Sequence, residues 1–184
     1  MKKAIFSSLG VILTLMISGC GSVYTYSVKP TPIKQGESKY TIRDMNLKLS
    51  HGDGRNLENT TFKTEDELKE SFSSFIKVAL EENSILGDNK SYQLDISVNY
   101  TRTYKYGGNA LNKPRVSYEV KVYDSNNDLL AKHSTGEFTT RYASLMDTYV
   151  NAQIIAFTWD AEDEPKDVQL ISNLLVKDLV ELGD

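Results

Sequence analysis

The stretch that most limits what this chain can fold into runs from 92 to 101. Tyr92, Leu94, Ile96, Val98 and Tyr100 alternate without a break with Gln93, Asp95, Ser97, Asn99 and Thr101. Successive side chains of a strand point to opposite faces, so this is a half-buried strand of the kind found in antiparallel sheets. Tyr104 and Tyr106 carry the even register past Arg102, and Gly107-Gly108 ends it. Val116, Tyr118, Val120 and Val122 repeat the alternation, and the loop up to Pro114 is long enough for a hairpin connection. A further strand is expected over 129–142, with Gly136 as a bulge or bend. Ahead of these, Tyr40 and Ile42, then Met45, Leu47 and Leu49, alternate with a phase shift near Arg43-Asp44, which predicts a strand with a bulge.

The helical signals lie on either side of the strand run. Thr64 followed by Glu67 matches a capping box, with Glu65 and Asp66 also placed to favour the start of a helix. Leu68, Phe72, Phe75, Ile76, Ala79 and Leu80 then recur at three- and four-residue steps and make one core-facing stripe, with Gly87 as the expected stop. Leu145, Tyr149 and 152–156 suggest a second helix. After the acidic break at 160–164, Pro165 opens a third, with Val168, Ile171, Leu175, Leu179 and Leu182 on its buried side and Gly183 at its end.

The first 20 residues decide the address. A cationic start, Met1-Lys2-Lys3, precedes an uncharged and mostly apolar run over 4–17, then Ser18, Gly19 and Cys20. These are the parts of a secretory signal, and the apolar run is shorter than the roughly 20 residues a membrane span needs. Ile17-Ser18-Gly19-Cys20 resembles the bacterial lipobox. That resemblance implies a diacylglyceryl group on the Cys20 thiol and cleavage just before the cysteine. The two or three acyl chains it implies suffice for stable anchoring, where one does not. Gly21 after the cysteine, where aspartate would retain the protein at the inner membrane, implies delivery to the outer membrane. The following stretch to Lys39, with Pro30 and Pro32, reads as an extended tether. Tyr24 and Tyr26 in it suit either the membrane interface or packing back on the domain.

Composition closes off several function classes. The chain carries a net charge of −4, and losing the signal removes Lys2 and Lys3 and no acid, giving −6, which speaks against nucleic acid as a partner. Cys20 is the only cysteine, so the lipid would leave no thiol for catalysis, a disulfide or a metal. Asp124, Asn126 and Asp128 copy the first ligands of a calcium loop. Leu129 and Thr135 stand where that loop needs glycine and glutamate, so an Asx-stabilised hairpin turn is the better reading. His51 and His133 read as exposed bystanders, and no G-x-S-x-G nucleophile motif occurs. Glu162, Asp163 and Glu164 read as capping and dipole partners rather than a catalytic carboxylate pair. No catalytic residue, metal ligand or cofactor is therefore expected. Among the 11 tyrosines, several gather near one hairpin. Tyr104, Tyr106 and Leu111 at its tip are the candidate partner-binding residues.

The expected fold is α+β: an antiparallel sheet of about four strands with helices packed on one face, in the order β-α-β-β-β-α-α. Residues 1–19 are read as the signal peptide, 20–39 as the lipidated tether and 40–184 as a single domain. Strand order and lipobox together resemble small Gram-negative envelope lipoproteins of the YajG, LptE or lipid-transport ABC auxiliary kinds. The resemblance implies a non-enzymatic lipoprotein, held at the outer membrane through Cys20 with its domain in the periplasm, that binds or scaffolds another envelope protein. The alternative is a carrier or sensor of an apolar small molecule or lipid, using a cleft between helices and sheet.

Overall fold

The structure, a computed structural model, describes residues 24–52, 61–105 and 110–184. The segment 1–19, Cys20 and Tyr106 lie outside them. The elements are β1 (Thr25–Tyr26), β2 (Tyr40–His51), α1 (Glu65–Glu82), β3 (Tyr92–Tyr104), β4 (Leu111–Tyr123), β5 (Leu129–Ser134), β6 (Phe138–Thr139), α2 (Ser144–Ile155) and α3 (Glu164–Val180). They form an α+β fold around one six-stranded sheet in the order β1-β5-β4-β3-β2, with β6 also paired to β4.

Three expectations about the sheet are corrected. It has six strands instead of about four, because β1 and β6 are two residues long and carry no readable period. It is mixed: β2 pairs with β3 in parallel, since α1 returns the chain to the end from which β2 started. The strand expected over 129–142 is two strands. Its pairing with β4 slips by one residue between Glu119↔Ser134 and Val116↔Phe138, and Gly136 lies in the gap. The bulge expected in β2 is present between Ile42 and Asp44.

Alternation puts Leu94, Ile96, Val98 and Tyr100 of β3 and Val116, Tyr118, Val120 and Val122 of β4 on one buried face. Against it pack Leu68, Phe72, Ile76, Ala79 and Leu80 of α1, and Val168, Ile171, Leu175, Val176 and Leu179 of α3. Phe72 meets Tyr100 edge to face at 6.0 Å, whereas Phe75, expected in the same stripe, is only partly buried at the rim. The capping box forms as expected: Glu67 N donates to Thr64 Oγ1, and Thr64 N donates to Glu67 Oε2 at 2.7 Å. The end of α1 differs. Asn83 caps it with Ser84 in the left-handed region, and Gly87 serves a close approach instead. A Cβ at Gly87 would sit 2.0 Å from Ser91 Oγ and 2.8 Å from Lys39 Cβ.

From Tyr24 onward, the segment read as a tether is part of the domain. β1 pairs with β5 at the sheet edge, Tyr24 and Ile33 are buried in the core, and Gly183 N donates to the Tyr26 hydroxyl at 3.0 Å. Tyr92 donates its hydroxyl to Pro32 O at 3.1 Å. The open choice for Tyr24 and Tyr26 thus resolves as packing on the domain, and the folded unit begins by Tyr24 rather than at Tyr40. At the β4–β5 turn, Asp124 Oδ1 accepts from the backbone of Asn126 and Asp128 at 2.8 and 2.9 Å, the Asx arrangement expected there.

Candidate functional site

Beyond the main core, the far ends of β3 and β4 hold a second apolar cluster of Tyr104, Leu111, Val150, Ile154 and Trp159, with Phe62 and Tyr142 against it. Tyr104 is 8% exposed and Leu111 2%. In place of the solvent-exposed tip expected from sequence, both side chains are packed under α2, and Leu111 N donates to Trp159 O at 2.6 Å.

A buried polar network lies between the two cores. Arg102 falls on the inward face of β3, and its guanidinium makes a two-pronged contact with Glu164 at 2.6 and 2.8 Å, with a third bond to Lys63 O at 2.9 Å. Burial works against the guanidinium charge, yet the bonds from Glu164 and its charge raise the Arg102 pKa above its usual value. One turn further along α3, Asp167 accepts from Thr140 Oγ1 and the Tyr142 hydroxyl, both at 2.8 Å, and from Trp159 Nε1 at 3.3 Å. Burial nonetheless pushes its carboxyl up to about 6, against the pull of those three bonds. The acids expected to serve only as helix-start partners are thus divided. Glu164 is fully buried in the ion pair, while Asp163 meets Lys166 at 2.6 Å near the surface.

His133 is also inside, not an exposed bystander. Its ring lies 4.7 Å from that of Tyr24, and Nε2 stands 3.3 Å from Asp178 Oδ2, which accepts the Tyr118 hydroxyl at 2.6 Å. Burial, the bond to Asp178 and its charge all push the Tyr118 phenol up, so it stays protonated. His51 is exposed and stacks parallel to Tyr104 at 6.4 Å, far from His133 in the fold. Among the described residues no group of three or more His, Cys, Asp or Glu is placed to hold a metal ion.

The surface that stands out is the outer side of α2. Val150 and Ile154 face inward, and Lys113 Nζ is paired with Asp147, whose carboxyl it holds below the usual range. The other apolar residues point away from the domain. Leu145 is 88% exposed, Ile155 69%, Phe157 55% and Tyr149 52%, with Met146 also exposed. Asp147 is the one charged residue over 144–158. The helix ends in a Schellman arrangement, with Thr158 N donating to Gln153 O at 3.0 Å and Phe157 N to Ile154 O at 3.3 Å. The left-handed position of that motif, normally glycine, is Phe157 at φ +62°. A bulky residue there is strained by about 1–2 kcal/mol. Sequence reasoning found α2 but not its exposure, because a helix apolar on both sides gives no stripe to read.

Neither a family model nor a curated protein sequence matches the chain. Among solved structures it is similar to a Xanthomonas campestris protein of the DUF330 family, at 13% identity and a TM-score of 0.43, covering 86% of this chain and 93% of that one. A minor lipoprotein from Acinetobacter baumannii is 11% identical with a TM-score of 0.35, over 74% of this chain and 92% of that one. The rare lipoprotein B from Shewanella oneidensis is 12% identical with a TM-score of 0.22, over 72% and 97%. At these TM-scores none of the three defines the class of this chain.

Proposed function

We propose that this is a lipid-anchored lipoprotein of the bacterial outer membrane, with its domain in the periplasm, that works by binding and scaffolding rather than by catalysis. The address comes from the lipobox around Cys20. The observation that carries the binding role is α2, which is apolar on both sides and covered by the domain on only one. Exposed apolar side chains gathered in this number on one helix and its closing turn mark a contact with something outside the chain. The alternative reading, a carrier with a cleft between helices and sheet, is not favoured: that layer is filled by Leu68, Phe72, Ile76 and their partners on β3 and β4.

The reading is tested in cells with a photoreactive residue in place of Tyr149 and mass spectrometry of the mature N-terminus. The expected result is a lipid-modified Cys20 and capture of an envelope component at position 149. An unmodified Cys20 refutes the anchor. An intact, anchored protein that yields no adduct, while the probe remains open to a soluble quencher, refutes the binding role of α2.

A further inference from the structure

We infer that Asp167 is a pH-sensitive clasp that fastens both ends of the α2 segment to α3 and releases the segment more readily as the pH rises. The inference concerns how α2 is held, and it stands whether or not a partner binds the outer side of that helix. Chain order supplies the first argument. After β6 the chain passes Thr140 and Tyr142, forms α2 and returns at Trp159, shortly before α3 begins. Thr140 and Tyr142, on the way out, both donate to Asp167 Oδ1, and Trp159, on the way back, donates to Oδ2. One carboxylate, 1% exposed, thus collects the two ends of the excursion. Tyr142 also meets Trp159 edge to face at 6.3 Å, so the two ends touch each other at the clasp. Between those ends α2 is lightly seated. Of its own residues only Val150 and Ile154 are buried, and the segment closes on Phe157 in the left-handed region. The side-chain carbonyl of Gln153 is buried with no hydrogen-bond partner among the described residues. A strained closing residue and an unmet buried carbonyl both lower the cost of lifting the helix. Elements that bury few apolar side chains are the ones that open ahead of the whole domain.

Electrostatics makes the clasp responsive. Burial pushes the Asp167 carboxyl up to about 6, and the charge of Glu164 pushes the same way, against the pull of the three donated bonds. The other charged and titratable groups around it leave that balance in place. Arg102 of β3 is turned to Glu164, Lys63 offers only its carbonyl and offers it to Arg102, and Asp163 is paired with Lys166. Asp147 of α2 is paired with Lys113. Burial keeps the phenols of Tyr100 on β3 and of Tyr142 protonated. Lifting α2 takes its three donors away and lets water reach the carboxylate, which restores an ordinary aspartate near about 4. Between about 4 and about 6 the closed state holds a proton that the open state releases. Rising pH therefore favours opening, about tenfold per pH unit across that window and about 100-fold in all. A proton on Oδ2 shows why the closed state takes it up. It removes the buried charge at the expense of the longest of the three bonds, that from Trp159 Nε1 at 3.3 Å, and leaves Oδ1 to accept from Thr140 and Tyr142.

The test is amide hydrogen exchange of the intact mature protein in detergent micelles, read by mass spectrometry and corrected for the intrinsic pH dependence of exchange. It compares peptides over 144–158 with peptides over 94–104 of β3. The α2 segment is expected to open more readily than β3 at every pH. Its opening constant should rise about 50-fold between pH 4 and pH 8, and Asp167→Asn should make that profile flat. If the variant fails to fold, the profile of the parent decides alone. Opening of α2 that coincides with that of β3 throughout overturns the inference, since the segment would then be released only with the whole domain. A segment that opens separately but changes by less than about threefold between pH 4 and pH 8 overturns it as well. A folded Asp167→Asn variant that keeps the slope of the parent assigns the response to another group and overturns it too.

Discussion

Glu164→Gln should be among the most damaging single changes in this domain. Both side chains of the Arg102–Glu164 pair are nearly inaccessible, at 2% and 1%. The substitution removes the countercharge and turns an amide group toward Arg102 Nε or Nη2, donor against donor. What remains for the guanidinium is Lys63 O and the ring of Phe62 beneath it at 5.1 Å. Breaking a buried pair by removing one partner costs about 3–5 kcal/mol, because the survivor is an uncompensated charge away from water. Replacing both partners by apolar residues of similar volume is often neutral or stabilising. Arg102→Met with Glu164→Leu should therefore lie within about 1 kcal/mol of the parent or above it. Urea denaturation at neutral pH of the parent, Glu164→Gln, the single changes Arg102→Met and Glu164→Leu, and the double variant reads these quantities from the midpoints, provided the slopes agree. A single variant costing under about 1 kcal/mol, or a double variant whose cost equals the sum of the singles, would show that no tight coupling exists between these groups.

Asp167 gives a pH signature of unusual sign. Its carboxyl titrates near 6 in the folded state against about 4 when unfolded, so the folded state binds the extra proton between those values. Its contribution to stability is greatest below pH 4 and falls by roughly 3 kcal/mol as the pH rises through 6. The difference between the parent and Asp167→Asn in denaturation midpoints from pH 4 to 7 isolates this slope, and a flat difference would contradict it. Phe72→Ala should cost about 3–5 kcal/mol and Phe75→Ala about 1–2 kcal/mol, since only the first ring is fully buried; equal losses in chemical denaturation would mean the rim and the core are not distinct. Leu111→Ala should cost about 2–5 kcal/mol, as a buried residue must. A change near zero would return Leu111 to the surface role its loop position suggested.

What the sequence showed of this fold follows from which signals are local. The alternation over 92–101, the capping box at Thr64 and the Asx turn at Asp124 are set by neighbours in the chain, and each formed as read. The parallel pairing of β2 with β3 was legible only through its connection, since a strand that looks half-buried carries no mark of its partner's direction. Arg102 was the missed signal. It sits on the even register of β3, so the same alternation that placed Tyr100 inside also placed a guanidinium inside, and a buried acid had to exist somewhere. That acid, Glu164, is 62 positions away in a stretch that reads as a helix start. His133 and Leu111 were misplaced for a related reason: their cover comes from Tyr24 and α2, segments whose packing no periodicity announces.

Single exposed apolar residues are ordinary on protein surfaces, so the weight placed on α2 depends on number and position. Leu145, Met146, Tyr149, Ile155 and Phe157 fall within 13 positions on α2 and the turn that closes it, and polar residues at these positions would cost the fold almost nothing. Full burial of such side chains is worth about 1.5–3 kcal/mol each, which scaled by their exposure gives on the order of 5 kcal/mol for removing the face from water. That is the worth of about six buried methylenes at roughly 0.8 kcal/mol each. The buried pair of Arg102 and Glu164 and the tie from Lys113 to Asp147 fix the second core that α2 rests on. Through that support, the inward charges of β3 and α3 hold in place a surface they never touch.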